Sequence, residues 1–539
     1  MPTALARIGN AAHNASVLVR RGVVPWRPDH GIKALIAQRK LGPVAAAVAV
    51  SAMRYGDLPA LADERGVLSY NDLEQRSNAL ARSLRARGAG EGAVIAVLCR
   101  DHRGLVDSIL GTAKAGARVL LMNTGFGKPQ LADVAEREKV TTIIYDEEFT
   151  DLLSALPSTI ERYIAWQEDP AAESALPTIE SMIASTSPAP ITAPAVMGGL
   201  VLLTSGTTGT PKGAPREVRS PLAAAFFLER VPFGRREPML IASPIFHATG
   251  FSQFIIAFAI GAKIVLRRRF DPEATLAALQ ENGCTAMVAV PTQLQRMVDL
   301  PEETLKSYNL SKLRVVFLAG SALSPELGNR ATALWGDVVH NLYGSTEVAV
   351  IAVATPQDWK QAPGTVGRSP HGVEVRLYDE AGNQVTTPGT VGRIFAGSGL
   401  SFGGYTDGAN KQIIDGLLSS GDVGHFDTSG LLFVDGRDDD MIISGGENVF
   451  PLEVENLLFS HPEVADVSVL GVDDADFGQR LAAFIVLKPD AKLDDEAVRS
   501  FVKDSLARFK VPRDVIFVPS LPRNQTGKVL KNELRAKLA

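Results

Sequence analysis

Residues Thr204–Gly213 read TSGTTGTPKG. The hydroxyls of Thr204, Ser205, Thr207 and Thr208 stand around Gly206 and Gly209, and Lys212 follows within the same stretch. Glycine lets the backbone turn tightly and aim its N–H groups inward, hydroxyls add further donors, and a lysine adds charge. Together these are the parts of an anion cradle. The cradle is not a Walker A loop. Counting from Gly206, the second required glycine falls on Pro211, and Lys212 is followed by Gly213 rather than by Ser or Thr. No G-x-G-x-x-G occurs in the stretch either, so a dinucleotide fingerprint is excluded.

Other short stretches place reactive groups among small residues. Tyr343, Gly344, Ser345, Thr346 and Glu347 form YGSTE, which combines an aromatic face, hydroxyls and a carboxylate. Asp422 sits in SSGDVGHFD, Arg437 and Asp439 in GRDDD, and Lys528 in TGKVLK. Taken singly, each also has a plain reading as a turn residue, a surface arginine or a solvated lysine. One stretch suggests a different reaction class. Gly399–Gly403, GLSFG, satisfies G-x-S-x-G with Ser401 as nucleophile, but that motif needs a strand before it and a helix after it. The turn-like GYTDG follows instead, so hydrolysis is disfavoured.

The elements that must hold these groups alternate from about Pro59. Ser69 is a plausible N-cap for a helix with Leu73, Leu80 and Leu84 on its apolar face, ending near Gly88. VIAVL, VLLMN and TTIIYD read as buried strands separated by helical runs, so the class is α/β with parallel-rich sheets covered on both faces. Residues 168–194 are rich in Ala, Ser and Pro and read as a connector. The apolar VLL then runs straight into the TSGTTGTPKG loop. VEVRLYD and GRIFAG suggest a β-rich unit reaching to about Val434. A compact α+β tail follows, with Val498, Phe501, Val502 and Leu506 on one helical face. The polar, glycine-led GRDDD marks the boundary, which gives a large domain over residues 1–436 and a small one over 437–539.

The bulk numbers agree with a large globular enzyme. The chain has 539 residues, enough for about three or four domain-sized units. Its net charge is −5, without a long basic block, which argues against nucleic acid as a partner. Cys99 and Cys284 are too few and too far apart for a disulfide framework or a zinc site, so a cytoplasmic, reducing location is expected. GPVAAAVAVSAM, Gly42–Met53, is too short to span a membrane. It reads as a packed or surface helix ahead of a membrane-surface anchor, and residues 1–54 stay open for peripheral membrane contact.

Taken in order, the motifs resemble those of the adenylate-forming superfamily, which includes acyl-CoA synthetases, firefly luciferase and peptide-synthetase adenylation domains. The resemblance rests on TSGTTGTPKG, PIFHATGF (Pro244–Phe251), AGSALSP (Ala319–Pro325), YGSTE, SSGDVGHFD, GRDDDMIISGGENVFPLEVE (Gly436–Glu455) and LPRNQTGKVLK (Leu521–Lys531). It implies ATP and CoA as co-substrates and a Mg²⁺ ion held by Glu347. It further implies that the Thr204–Gly213 loop holds the departing pyrophosphate and that Thr346 contacts the α-phosphate. Tyr343 would stack on adenine beside Gly320, Ser321 and Ala322, and Asp422 would accept the ribose hydroxyls with Arg437 near them. Lys528 would bridge the carboxylate and the α-phosphate, although Gln525 replaces the proline usual before T-G-K. Asp439 would be the hinge of a mobile small domain. Ser444, Gly445 and Gly446 would line the pantetheine tunnel.

Within the superfamily, amino-acid-activating relatives usually carry an aspartate in the PIFHATGF region. Here it has His247, which would gate an acyl pocket. The resemblance is strongest to actinobacterial fatty-acid–CoA ligases, with a medium- or long-chain acid expected. A fatty acyl-AMP ligase serving a carrier protein and an aryl-acid–CoA ligase are the alternatives.

Overall fold

The computed structural model describes residues 4–24, 28–169, 171–204, 212–215, 223–345, 348–397, 411–444, 447–474, 478–524 and 527–538. Their architecture is α/β, with a large N-terminal part of parallel-rich sheets and a smaller C-terminal domain.

Two parallel-rich sheets form the large part. In the eight-stranded sheet, Met239–Ile241, Ala286–Ala289, Val315–Leu318 and Val339–Tyr343 run parallel as neighbours. Antiparallel pairs close both edges, at Ala352–Ala354 and at Gly66–Ser69. The six-stranded sheet centres on Val94–Leu98 and ends in Leu200–Thr204 and Lys212–Pro215. All five residues of Val94–Leu98 are buried, as expected of a strand covered on both faces. A third, antiparallel sheet contains Glu374–Tyr378, Gly392–Gly397, Leu417–Phe426 and Leu432–Arg437. The small domain has its own sheet, in which Val464–Asp474 pairs with Gly478–Leu487, and its own core around Val469, Leu481, Val498 and Val502.

Local chemistry sets many of the boundaries. Ser69 caps the helix Tyr70–Ala86, and Asp72 returns a bond to the Ser69 backbone, completing a capping box. Leu73, Leu80 and Leu84 are all buried on that helix. Helix Arg103–Ala115 ends at Gly116, whose φ of 85° suits glycine. The chain leaves the third sheet at Arg437, turns through Asp438–Asp440 and enters the small domain's sheet at Ile442.

The connector over residues 168–194 is not wholly irregular. It contains the helix Ile179–Ala184, capped by Thr178 and burying Ile179 and Met182. Six residues are too few to show a periodic pattern, so tertiary packing decides this element. Gly42–Met53 lies in the helix Pro28–Tyr55, and Val44, Ala45, Ala46, Val48 and Ala52 are buried, in line with a packed helix.

Candidate active site

Four adjacent parallel strands deliver the candidate residues to one edge of the eight-stranded sheet. After Met239–Ile241 comes Pro244–His247, after Ala286–Ala289 comes Thr292, after Val315–Leu318 come Gly320–Ala322, and Val339–Tyr343 ends on Tyr343 itself. The carboxyl ends of parallel strands are where open α/β sheets bind ligands, because the connecting loops converge there.

Tyr343 and Asp422 come from different sheets. The Tyr343 hydroxyl donates to Asp422 Oδ2 at 2.6 Å. Burial first, and then the neighbouring Asp422 charge, push the Tyr343 phenol far above its ordinary value, so it stays protonated and keeps donating. Burial also raises the Asp422 carboxyl, against the opposing pull of the Tyr343 hydrogen bond and the Arg437 charge. The Asp422 backbone N–H donates to Ser420 Oγ at 3.1 Å, and Ser420 Oγ donates to the Ile394 carbonyl at 3.0 Å. The carboxyl is therefore held on a braced strand, with its second oxygen free of the Tyr343 bond.

Asp422 and Arg437 are direct cross-strand partners. Arg437 Nε lies 3.9 Å from Asp422 Oδ1 and donates to Asp439 Oδ1 at 2.8 Å. The guanidinium thus stands between the proposed ribose acceptor and the proposed hinge. Burial works to raise the Asp439 carboxyl, but the hydrogen bond and charge of Arg437 prevail and hold it below its ordinary value.

Lys528 is brought to the same place from the small domain. Its backbone N–H donates to Asn524 Oδ1 and its carbonyl accepts from the Asn524 N–H, both at 2.9 Å, which closes a turn. Gly527 in that turn has φ 80°, and a Cβ placed there would lie 2.2 Å from Thr292 Oγ1. Glycine is required both by the backbone conformation and by this contact with the large part. Desolvation, and then the nearby Arg437 charge, lower the Lys528 ammonium below its ordinary value, while Asp440 and Asp439 oppose the shift. Lys531 anchors the following helix by an ion pair to Asp440 at 3.0 Å.

Gly344 also sits where only glycine fits. A Cβ there would lie 1.9 Å from the Ala349 carbonyl oxygen. The Ala349 N–H donates to the Ser345 carbonyl at 2.8 Å, and the Val348 N–H donates to Ser345 Oγ at 3.2 Å. Gly320 has φ 99° and approaches Val290, with Ser321 and Ala322 following it.

His247 precedes the helix Ala248–Ile260, and its backbone N–H donates to the Pro244 carbonyl at 3.1 Å. Its Nε2 is buried and has no hydrogen-bond partner among the described residues. Burial lowers the imidazole to about 4, so the ring is neutral at pH 7. Asp101, on the loop that follows Val94–Leu98, holds the loop before His247 by accepting the Ile245 N–H at 3.1 Å. Burial raises that carboxyl to about 7.

Several predicted residues fall outside the described residues: Ser205, Gly206, Thr207, Thr208 and Gly209 of the phosphate loop, Thr346 and Glu347, and Gly445 and Gly446. Ser401 of GLSFG lies outside them too. The stems of the phosphate loop are described, with Thr204 paired with Lys212 across an antiparallel ladder. Ser444 is paired with Glu447 across the two glycines. Among the described residues no group of three or more His, Cys, Asp or Glu side chains could hold a metal ion, so the Mg²⁺ expectation rests on Glu347.

Sequence reasoning missed Thr292, Asp101 and Ser420. The partners of Thr292 and Asp101 lie far away in the chain and no local pattern marks them, whereas Ser420 stands two residues before Asp422 in SSGDVGHFD.

The family of this site is shown by comparison. The model for AMP-binding enzymes matches residues 48–406, and the model for the C-terminal domain of AMP-binding enzymes matches residues 453–528. The chain belongs to the AMP-binding enzymes, the adenylate-forming superfamily. An indoleacetate–CoA ligase from Aromatoleum aromaticum is 31% identical over 88% of this chain and 93% of its own length. A fatty acid–[acyl-carrier-protein] ligase from Streptomyces coeruleorubidus is 29% identical, with 88% and 93% covered. The crystal structure of the anthranilate CoA ligase AuaEII in complex with anthranoyl-AMP superposes with a TM-score of 0.83 at 23% identity, over 92% of this chain and 96% of that one, and shows the same fold. These relatives are varied and do not single out actinobacterial fatty-acid ligases.

Proposed function

We propose that the protein is an ATP-dependent acid–thiol ligase that couples an apolar carboxylic acid to CoA. In the first step a carboxylate oxygen attacks the α-phosphorus of ATP and pyrophosphate leaves. In the second step the CoA thiol attacks the acyl carbon, losing its proton, and AMP leaves. A Mg²⁺ ion held by Glu347 would neutralise phosphate charge during the first step.

The observation that carries this reading is the convergence of Tyr343, Asp422, Arg437 and Lys528 from two sheets and the small domain. Asp422 offers carboxylate oxygen to the ribose hydroxyls, and Arg437 and Lys528 offer positive charge to developing phosphate charge. Ser444, Gly445 and Gly446 are the proposed pantetheine contacts, and Asp439 the proposed hinge between residues 1–436 and 437–539. The neutral His247 and the strongly apolar helix behind it favour an uncharged acyl group. A medium- or long-chain fatty acid fits that description, and so does an aryl acid.

The Streptomyces relative, by its name, uses a carrier protein as acceptor, which keeps the acyl-AMP ligase as a second reading. The test is ATP–pyrophosphate exchange with a panel of fatty and aryl acids, followed by CoA addition. Exchange and acyl-CoA formation support the proposal. Exchange without acyl-CoA supports the second reading, and no exchange with any acid contradicts both.

A further inference from the structure

The helix Pro28–Tyr55 breaks at Gly42, where φ is 76° and ψ is 169°. Its second half belongs to the core. Ser51 Oγ donates to the Phe258 carbonyl at 2.9 Å, and Tyr55 Oη and Arg54 both donate to the Ala259 carbonyl at 3.1 Å. The first half behaves differently. Ile32, Leu35 and Ile36 are 61, 52 and 46% exposed and lie at i, i+3 and i+4, on one outward stripe. Lys33, Arg39 and Lys40 are exposed, and helical spacing puts Lys33 and Lys40 along the Ile36 side of the stripe and Arg39 in line with it one turn further on. Asp29, the acidic residue of the first turn, is paired with His30 at 3.7 Å.

A second chain segment extends the apolar surface. Met197, 51% exposed, lies against Gly42, with its sulfur 3.1 Å from where a Cβ would stand, and the exposed Val196 precedes it. An apolar stripe with basic flanks is the pattern of a helix that lies in a membrane interface, where side chains such as Ile and Leu enter the acyl boundary and Lys and Arg meet headgroup phosphates.

We infer that residues Asp29–Lys40, with Met197 beside them, dock the protein onto an anionic lipid bilayer surface. Charge selects this occupant. The chain as a whole carries −5, yet this stripe has three exposed cations, which complement anionic headgroups. A second copy docked on the same face would set Lys33, Arg39 and Lys40 against their own counterparts. No helix of the described residues is long and apolar enough to cross a membrane, so the contact lies on the surface. The core half of the same helix packs on Ala248–Ile260, the helix that starts after His247.

The test uses the full chain in co-sedimentation with vesicles of phosphatidylcholine alone or enriched in phosphatidylglycerol. Binding should be at least about tenfold stronger to the enriched vesicles and should fall as salt rises. Ile32→Ser/Leu35→Ser/Ile36→Ser and, separately, Lys33→Gln/Arg39→Gln/Lys40→Gln should each lose most of it. These positions are exposed, so folding and activity toward a water-soluble acid should persist in both variants, as circular dichroism and pyrophosphate exchange would show. Equal sedimentation with both vesicle types would overturn the inference. So would full binding by the triple serine variant, or wild-type dimerisation in light scattering that the serine variant abolishes.

Discussion

The Tyr343 hydroxyl donates to Asp422 at 2.6 Å across 79 residues of chain, joining the end of a parallel strand to the antiparallel sheet that carries Arg437. The bond turns one carboxylate oxygen toward the phenol. In the proposed complex the other remains for ribose.

Asp422→Ala should therefore raise KM for ATP by at least about tenfold, since a charge-assisted hydrogen bond contributes roughly 1.5–3 kcal/mol. Tyr343→Phe should have a smaller effect in the same direction, because the ring face remains and only the bracing bond is lost. Pyrophosphate exchange at varied ATP measures both. An unchanged KM in Asp422→Ala would remove the ribose role.

The Gly527 contact gives a prediction specific to adenylation. Gly527→Ala should cut pyrophosphate exchange by at least about tenfold, since a Cβ at φ 80° would strain the turn and meet Thr292. Adding Thr292→Ala should restore part of the rate by removing the hydroxyl and methyl it would strike. If Thr292→Ala restored nothing, strain within the turn alone would explain the loss.

Two buried titrating groups at the PIFHATGF loop, Asp101 against it and His247 within it, oppose each other with pH. Asp101, raised to about 7 by burial, binds more protons folded than unfolded between about pH 4 and 7, so its contribution to stability falls as pH rises through that window. Asp101→Asn keeps an oxygen for the Ile245 N–H and removes the buried charge. It should stabilise the protein at pH 8, by up to about 4 kcal/mol, and change little at pH 4. Urea midpoints at the two pH values check this. Equal shifts at both would show that the carboxyl does not titrate high.

His247 and His340 act with the other sign. Each is lowered to about 4 by burial, so between about pH 4 and 6.5 the unfolded chain binds more protons and stability is lost as pH falls. His340→Gln should flatten the slope of urea midpoint against pH in that window, whatever it does to stability at pH 7. An unchanged slope would mean that His340 charges within the fold.

Much of this was legible in the sequence where the signal is local. Ser69 caps its helix, Val94–Leu98 is a buried strand, and VLL leads into the loop stem that ends at Thr204. Tyr343, Asp422, Arg437 and Lys528 each read singly as a turn or surface residue, and only the resemblance of the ordered motifs to a known superfamily implied one site; the structure sets Tyr343 on Asp422 and Asp422 opposite Arg437. Thr292 and Asp101 left no such trace. Thr292 matters because a turn more than two hundred residues away rests on it, and Asp101 because it reaches another sheet. The short helix Ile179–Ala184 was hidden for a related reason, since its stability comes from burying Ile179 and Met182 rather than from its own length.

The proposed function assigns Lys528, on the small domain, to the first half-reaction, where carboxylate and α-phosphate meet, and gives it no part in the second. Its most direct test is Lys528→Ala assayed in the two half-reactions separately. Pyrophosphate exchange should fall by about a thousandfold or more, while thioester formation from supplied acyl-AMP and CoA stays within about threefold of wild type. Equal loss in both half-reactions, or exchange that survives the substitution, would contradict the account.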